Sequence, residues 1–298
     1  MKEIRSQIRK KILDIQQNFY HKLYSQSGHH TLNEYNIYLQ KTVLPTITEE
    51  TKAICDANIT HNEIKTAIKE LHNNKTPGPD GLPVEFYKLF CDDILDLLSA
   101  SFENSFENGL LSVSQRQGVL CLIPKKGKDL TKIESWRPLS ILNTDYKILT
   151  KILGTRLKLA LPELVNPDQI GYMSKRYYGE NIRLINDIID YCQIEKISSA
   201  ILLIDFEKAF DTICWDFLKC CMDQYGFGFN FKKWIAIIYN KIESCVTNNG
   251  YQSEYFQLSR GIRQGCPLSA LLFLLATEVV AVILRNLDCI QGIKVKET

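Results

Sequence analysis

The sequence predicts an α+β fold, rich in helix, with a small antiparallel sheet. Three observations predict it. Long segments place apolar residues at three- and four-residue spacing, the signature of amphipathic helices. Two short apolar runs, "GVLCLIPK" at 118–125 and "SSAILLID" at 198–205, read as strands, the second as a central buried one. "SCVTNNGYQSEYFQL" at 244–258 alternates about an Asn-Gly pair, as a β-hairpin does. With 298 residues, 45% hydrophobic and 23% charged, the chain can bury a core of one large or two small domains.

In chain order, residues 3–26 form a helix with Ile4, Ile8, Ile12, Ile15 and Phe19 on its apolar face. The stretch to about residue 59 is polar and loosely patterned. "THNEIKTAIKEL" at 60–71 opens on a capping box, Thr60 with Glu63, and carries Ile64, Ala67, Ile68 and Leu71 on one side. "NNKTPGPDGLP" at 73–83 must turn, and its prolines cannot donate ladder hydrogen bonds. Helices are expected at 84–107, 143–161, 214–225, 229–241 and about 267–287, and "GIKVK" at 292–296 alternates as a strand.

Composition excludes several classes of function. The N-terminus "MKEIRSQIRKKILDI" lacks the apolar centre of a secretion signal, so an intracellular protein is expected. "LSALLFLLATEVVAVIL" at 268–284 is short for a membrane span and contains Glu278, so it reads as a buried helix. None of the ten cysteines forms a C-x-x-C pair, and the histidines all lie at or before His72, which argues against zinc and for reduced, buried thiols. Net charge is only +2, yet residues 120–185 hold twelve Lys/Arg against six Asp/Glu. A local basic region on a near-neutral chain fits a polyanion groove; a solvated surface with chance clustering fits equally.

The residues with chemical potential lie in four places. Asp205 ends an apolar run in "LLIDFEKAFD", where a carboxylate must be paired, hydrogen-bonded or metal-bound if it is desolvated. At a strand end it can ligate Mg²⁺ with a neighbouring carbonyl, though a helix-capping role is also open. Phe210 could pack on a sugar ring or simply in the core, and Asp211 reads as a capping residue. "RGIRQGCPLS" at 260–269 sets Arg263 and Gln264 between glycines before a proline-led helix, an arrangement suited to a nucleotide. "LIPKKGKD" and "WRPLS" place Lys125 and Arg137 on the two arms of a possible hairpin, where they could neutralise a triphosphate or stand as surface charges.

Together and in order, "TPGPDGLPVEFYK", "LIPKKGK", "WRPLSILNTDYKILTKILGTRL", "QIGYMSKR", "LLIDFEKAFDTI" and "GIRQGCPLSALLF" closely resemble the reverse transcriptase domain of LINE-type, non-LTR retrotransposons, over about residues 10–296. Group II intron reverse transcriptases match the "PGPDG" and "WRPLS" wording less closely. The resemblance implies a right-hand polymerase fold of fingers and partial palm: an N-terminal extension at 1–60, fingers at 61–197, a partial palm with its small sheet at 198–298, and no thumb. It implies RNA-directed DNA synthesis by two-metal phosphoryl transfer with Mg²⁺, on an RNA template, a DNA primer and deoxynucleoside triphosphates, in a nuclear or cytoplasmic ribonucleoprotein and away from membranes.

By the same resemblance, Asp205 is the first metal-binding aspartate and catalytic residue, with the Phe206 carbonyl beside it. Phe210 is the steric gate against the 2′-hydroxyl, Lys125 and Arg137 hold the triphosphate, and Gln264 with Gly265 meets the nucleotide. Arg263, Lys175 and Arg176 are the expected template or primer contacts. The family's aromatic-Ala-Asp-Asp turn follows the strand read at 292–296 and is not among the residues given, so this chain by itself is expected to be inactive or nearly so. A non-catalytic RNA-binding fragment is the alternative; a phosphatase built on Asp205 would leave Lys125, Arg137 and Gln264 unexplained.

Overall fold

A computed structural model of the chain describes residues 2–25 and 30–295. The N-terminal helix α1 (Lys2–Tyr24) is followed by α2 (Leu32–Leu39), α3 (Glu49–Asp56) and α4 (His61–Glu70). The expected capping box opens α4: Thr60 Oγ1 accepts from the Glu63 amide, and Glu63 Oε2 accepts from the Thr60 amide at 2.9 Å. The helical run at 84–107 is split into α5 (Val84–Leu89) and α6 (Cys91–Asn108) at Phe90, whose backbone (φ −102°, ψ 24°) leaves the helical region.

A single turn, α7 (Val113–Arg116), leads into β1 (Gln117–Pro124), which pairs antiparallel with β2 (Trp136–Leu142) in the expected hairpin. The long helix α8 (Thr144–Leu164) follows, then α9 (Tyr178–Ile194), the short α10 (Ala209–Thr212), α11 (Trp215–Gln224) and α12 (Phe229–Tyr239). The hairpin at 244–258 is present as β3 (Glu243–Asn248), β4 (Tyr251–Gln252) and β5 (Phe256–Gln257). Asn249 and Gly250 take positive φ (49° and 81°) at its turn, as a tight hairpin demands. The apolar helix α13 (Ser269–Arg285) completes the described elements.

The sheet is mixed instead of antiparallel throughout. β3 lies parallel to β1, in the order β2-β1-β3-β4 with β5 also on β3, so it draws strands from both sides of residue 198. One core spans the whole, from Tyr20 to Val279, with α8 and α13 at its centre. Burial of Leu271, Leu272, Leu274, Leu275 and Val279 accounts for the apolarity of α13. Glu278, itself buried, accepts from Arg285 Nη1 at 2.9 Å. Among the described residues no helix is long and apolar enough to cross a membrane.

Two expected strands do not form. Residues 198–205 pair with no strand, and Leu202 and Leu203 stand 80% and 85% exposed. The described part of "GIKVK", Gly292 to Val295, is likewise unpaired, and Lys296 lies outside the described residues. Apolar runs supply the side chains of a central strand, but the ladder needs partners on both edges, and none is present among the described residues. In α1 the buried side is Leu13, Gln16, Tyr20 and Tyr24; Ile8, Ile12 and Ile15 face outward, and Ile4 lies outside the described side chains. The tyrosines reach the core, and they decide which side turns in.

Two contacts fix the region that precedes the hairpin. The 73–83 loop docks on the start of α8, where the Asp80 amide donates to Asn143 Oδ1 at 3.3 Å and Thr144 Oγ1 donates to the Leu82 carbonyl at 2.9 Å. A Cβ at Gly78 would lie 2.0 Å from Asn143 Oδ1, so the approach requires glycine. Arg156 of α8, 4% exposed at its side chain, binds both carboxylate oxygens of Glu63 (2.7 and 2.9 Å) and the carbonyls of Cys55, Ala57 and Asn58. Burial alone would raise the Glu63 carboxyl, but the Arg156 and Thr60 hydrogen bonds hold it below its usual range.

Arg156→Ala would leave three carbonyls without their donor and the half-buried Glu63 carboxylate with Thr60 alone. Removing one member of such a pair costs about 3–5 kcal/mol, which denaturant titration of the variant is expected to register as a lowered midpoint.

Candidate active site

A cleft of about 910 Å³ opens between the β1–β2 hairpin, the 205–211 turn, the base of α13 and the last turns of α1. Lys125, Arg137, Asp205, Phe206, Phe210, Gln264 and Gly265 all line it, although they come from three separated stretches of sequence.

The hairpin presents the cations. Its register sets Ile123 opposite Arg137, and the Lys125 amide extends the ladder by donating to the Ser135 carbonyl at 2.8 Å. Lys125 Nζ donates to the Glu134 carbonyl at 2.9 Å, which keeps the ammonium on this wall, and Arg137 stands exposed. Lys128 joins them.

The 205–211 turn presents the opposite wall. Lys208 takes the left-handed conformation (φ 49°, ψ 40°) that reverses the chain into α10. Its ammonium lies 3.7 Å from Glu207 and 5.1 Å from the centre of the Phe19 ring. Asp205 is exposed and makes no hydrogen bond or ion pair among the described residues. It is therefore a hydrated carboxylate, not the buried charge that its apolar approach run implies. Phe210 is clamped: its ring stacks on Phe273 (5.1 Å, 15°) and meets the edge of Tyr172 at 6.4 Å.

The 260–266 segment links the two walls. The Ile262 amide donates to the Phe210 carbonyl at 2.7 Å, and the Ser140 amide of β2 donates to the Gln264 carbonyl at 2.8 Å. Gly265 has φ 110°, and a Cβ there would fall 2.6 Å from the Ser140 carbonyl oxygen. This is a position for glycine alone.

At the cleft floor, which it helps to line, Asp211 is 3% exposed. Its Oδ1 accepts from Tyr24 Oη at 2.7 Å, and Gln264 Nε2 lies 3.4 Å from both carboxylate oxygens. Burial pushes the Asp211 carboxyl above its usual range against the pull of these donors. Burial, and then the Asp211 charge, push the Tyr24 phenol well up. Asp211 is not the capping residue that its sequence position suggests; it is the acceptor that joins α1 to Gln264. The only trace of Tyr24 in the sequence is its i, i+4 spacing from Tyr20. Tyr172 and Phe273, the braces of Phe210, left no trace, because ring contacts across 38 and 63 residues have no local pattern.

Three expected nucleic-acid contacts are placed elsewhere. Arg263 is 3% exposed, with its guanidinium over the Tyr146 ring at 5.4 Å and Nη2 donating to the carbonyls of Arg116 and Glu243, so it braces the sheet from below. Arg176 Nη1 donates to the carbonyls of Asn166 and Gln169, tying the loop after α8. Lys175 is exposed on that loop but does not line the cleft.

Helices about a small mixed sheet thus frame one cleft that sets cations on one wall against an exposed carboxylate on the other. The family model described as reverse transcriptase (RNA-dependent DNA polymerase) matches residues 123–291, and the chain belongs to this family. Its relatives lie among non-LTR mobile elements. The chain is 37% identical to a 149 kDa protein of transposon TX1 of Xenopus laevis, over 85% of its own length and 19% of that protein's. It is 26% identical to the Pol polyprotein of the R2DM element of Drosophila melanogaster, over 80% of the chain and 21% of the relative. It is 24% identical to the RNA-directed DNA polymerase of the jockey element of Drosophila melanogaster, over 72% and 24%. The chain thus spans between 19% and 24% of the length of these relatives.

Gly265→Ala is expected to lower stability by about 1–3 kcal/mol and to loosen the Ser140–Gln264 contact. Amide hydrogen exchange at Ser140, faster in the variant than in the parent, is the measurement.

Proposed function

We propose that the chain is the nucleotide- and template-binding part of an RNA-directed DNA polymerase of a non-LTR mobile element. Residues 1–60 serve as an N-terminal extension, 61–197 as fingers and 198–298 as part of the palm. The observation that carries this is the cleft itself, with Lys125, Lys128 and Arg137 on one wall, the free Asp205 on the other, and Phe210 and Gln264 between.

The parts divide the work by their chemistry. Lys125 and Arg137 offset the charge of a deoxynucleoside triphosphate, the arginine through paired donors to phosphate oxygens. Phe210, which Phe273 and Tyr172 prevent from yielding, crowds the 2′ position of the sugar and so favours deoxyribose. Gln264, above the turn at Gly265, contacts the nucleotide. Lys175, exposed on the loop after α8, offers a sequence-independent contact to the RNA template or DNA primer backbone.

The donor set fits Mg²⁺ in part. Asp205 is the hard, uncommitted oxygen ligand that Mg²⁺ prefers, and the Phe206 carbonyl is its neighbour. Asp211 is buried and engaged, and among the described residues no three His, Cys, Asp or Glu converge on one point. When bound, Mg²⁺ neutralises phosphate charge and activates the attacking hydroxyl. Asp205 and Phe206 would hold it together with oxygens of the substrate. The same function implies an intracellular ribonucleoprotein, nuclear or cytoplasmic.

Binding by this chain tests the first half. Arg137→Ala is expected to weaken deoxynucleotide binding about tenfold, the scale of one charge-assisted hydrogen bond, and RNA–DNA hybrid binding much less; the reverse order would move Arg137 into the template path. Primer extension on an RNA template with Mg²⁺, by a polymerase that carries this chain together with the family's aromatic-Ala-Asp-Asp turn, tests the second half. Synthesis that survives Asp205→Ala would remove Asp205 from the metal site. Phe210→Val is expected to admit ribonucleotides, and unchanged sugar discrimination would cancel the gate.

A further inference from the structure

Asp211 and Tyr24 belong to none of the roles assigned above, yet they meet at the residue assigned to the nucleotide. A side-chain amide has two unlike ends, an amino group that donates and a carbonyl oxygen that accepts, and rotation by half a turn exchanges them at almost no steric cost. What a substrate meets at Gln264 therefore depends on what holds the other end.

We propose that Asp211 and Tyr24 are positioning residues that fix the Gln264 amide with its amino group turned into the protein, so that Oε1 is the atom offered to the cleft. This rests on the reading that Gln264 contacts the nucleotide. A carboxylate accepts hydrogen bonds and cannot donate them. The Gln264 group that lies 3.4 Å from both Asp211 oxygens is thus the amino end, since the carbonyl there would put a partial negative charge against an anion.

Tyr24 keeps Asp211 in that role. Its hydroxyl donates to Oδ1 at 2.7 Å, satisfying a carboxylate that has no ion-pair partner among the described residues. Tyr24 is fixed in turn, because its carbonyl accepts from the Ser259 amide and hydroxyl, both at 3.0 Å, and the neighbouring Leu23 carbonyl accepts from Arg260 Nε at 2.7 Å. The donors that anchor the end of α1 therefore sit on the same segment that carries Gln264.

The consequence is chemical selectivity at one point of the cleft. An amide oxygen attracts a sugar hydroxyl or a base amine and repels a phosphate oxygen. Gln264 thereby reads a donor on the nucleoside half of the substrate, while Lys125 and Arg137 take the phosphates. The N-terminal helix becomes part of the nucleotide site, through a hydroxyl that never touches substrate.

The test is a double-mutant cycle. Deoxyguanosine triphosphate with Mg²⁺ is titrated calorimetrically onto the chain bound to a 3′-blocked primer on an RNA template. Asp211→Asn keeps the shape but presents either end to Gln264, so the orientation is no longer selected. Gln264→Ala is expected to weaken nucleotide binding about fivefold. Asp211→Asn and Tyr24→Phe are each expected to weaken it by a smaller factor, with template–primer affinity unchanged. In the Gln264→Ala background neither is expected to have a further effect.

If Asp211→Asn weakens binding equally with and without the Gln264 side chain, the positioning role is overturned while the nucleotide role of Gln264 stands. If Gln264→Ala itself leaves nucleotide binding unchanged, the nucleotide role falls, and the positioning role with it. Tyr24→Phe, which removes one oxygen and no packing, guards against a variant that fails because it does not fold.

Discussion

The main-chain hydrogen bond from Ser140 to Gln264 fixes the distance between the two walls of the cleft. Ser140 belongs to the hairpin that carries Lys125 and Arg137, and Gln264 to the segment that is bonded on its other side to Phe210. The bond forms only because Gly265, at φ 110°, lets the backbones approach to a distance that a Cβ would block. Beside it, Arg263 of the same segment bonds the carbonyls of Arg116 and Glu243, so the segment is tied to the sheet at two points. The cations and Asp205 thereby line one cavity, and the spacing of its walls is set by the backbone, not by flexible side chains.

The charges of this cleft are separated, not paired off. Glu207 answers Lys208, and the Glu134 carbonyl steadies Lys125, but neither interaction spans the cavity. Had Arg137 met Asp205 directly, each would have satisfied the other and neither would be available to a substrate. Keeping them on opposite walls leaves the cationic side open to phosphate and the anionic side open to a metal, with water as the resting partner of both.

Features legible in the sequence are those with a local cause. The Thr60–Glu63 box, the Asn249–Gly250 turn and the β1–β2 hairpin each follow from residues within a few positions of one another. The apolar run before Asp205 predicted a strand and formed none, because a strand is a property of a pair. The inward side of α1 was misread for a related reason. Isoleucines at helical spacing mark a surface that could be buried, whereas Tyr20 and Tyr24 found the core. Among the site residues, Lys125, Arg137, Phe210 and Gln264 were visible through motif wording. Tyr24, Tyr172 and Phe273, which hold them in place, depend on contacts between distant segments. Arg263, a basic residue beside a glutamine, reads as a ligand contact in sequence, whereas its burial against Tyr146 and two distant carbonyls has no local pattern.

The two aspartates of "LLIDFEKAFD" show how burial assigns roles within one motif. A carboxylate committed to internal donors has spent the lone pairs that a metal would need, and a buried one must be so committed or lose its charge. Asp211, 3% exposed, is held by Tyr24 and Gln264 and has become a structural acceptor. Asp205, exposed at the end of an unpaired segment, keeps its oxygens free. The left-handed turn at Lys208 lies between them; both line the cleft, but one carboxylate is buried at its floor and the other is exposed at its wall. The exposed Leu202 and Leu203 thus belong to the same physical fact as the availability of Asp205. A backbone that no strand covers is also a backbone whose terminal carboxylate water can reach.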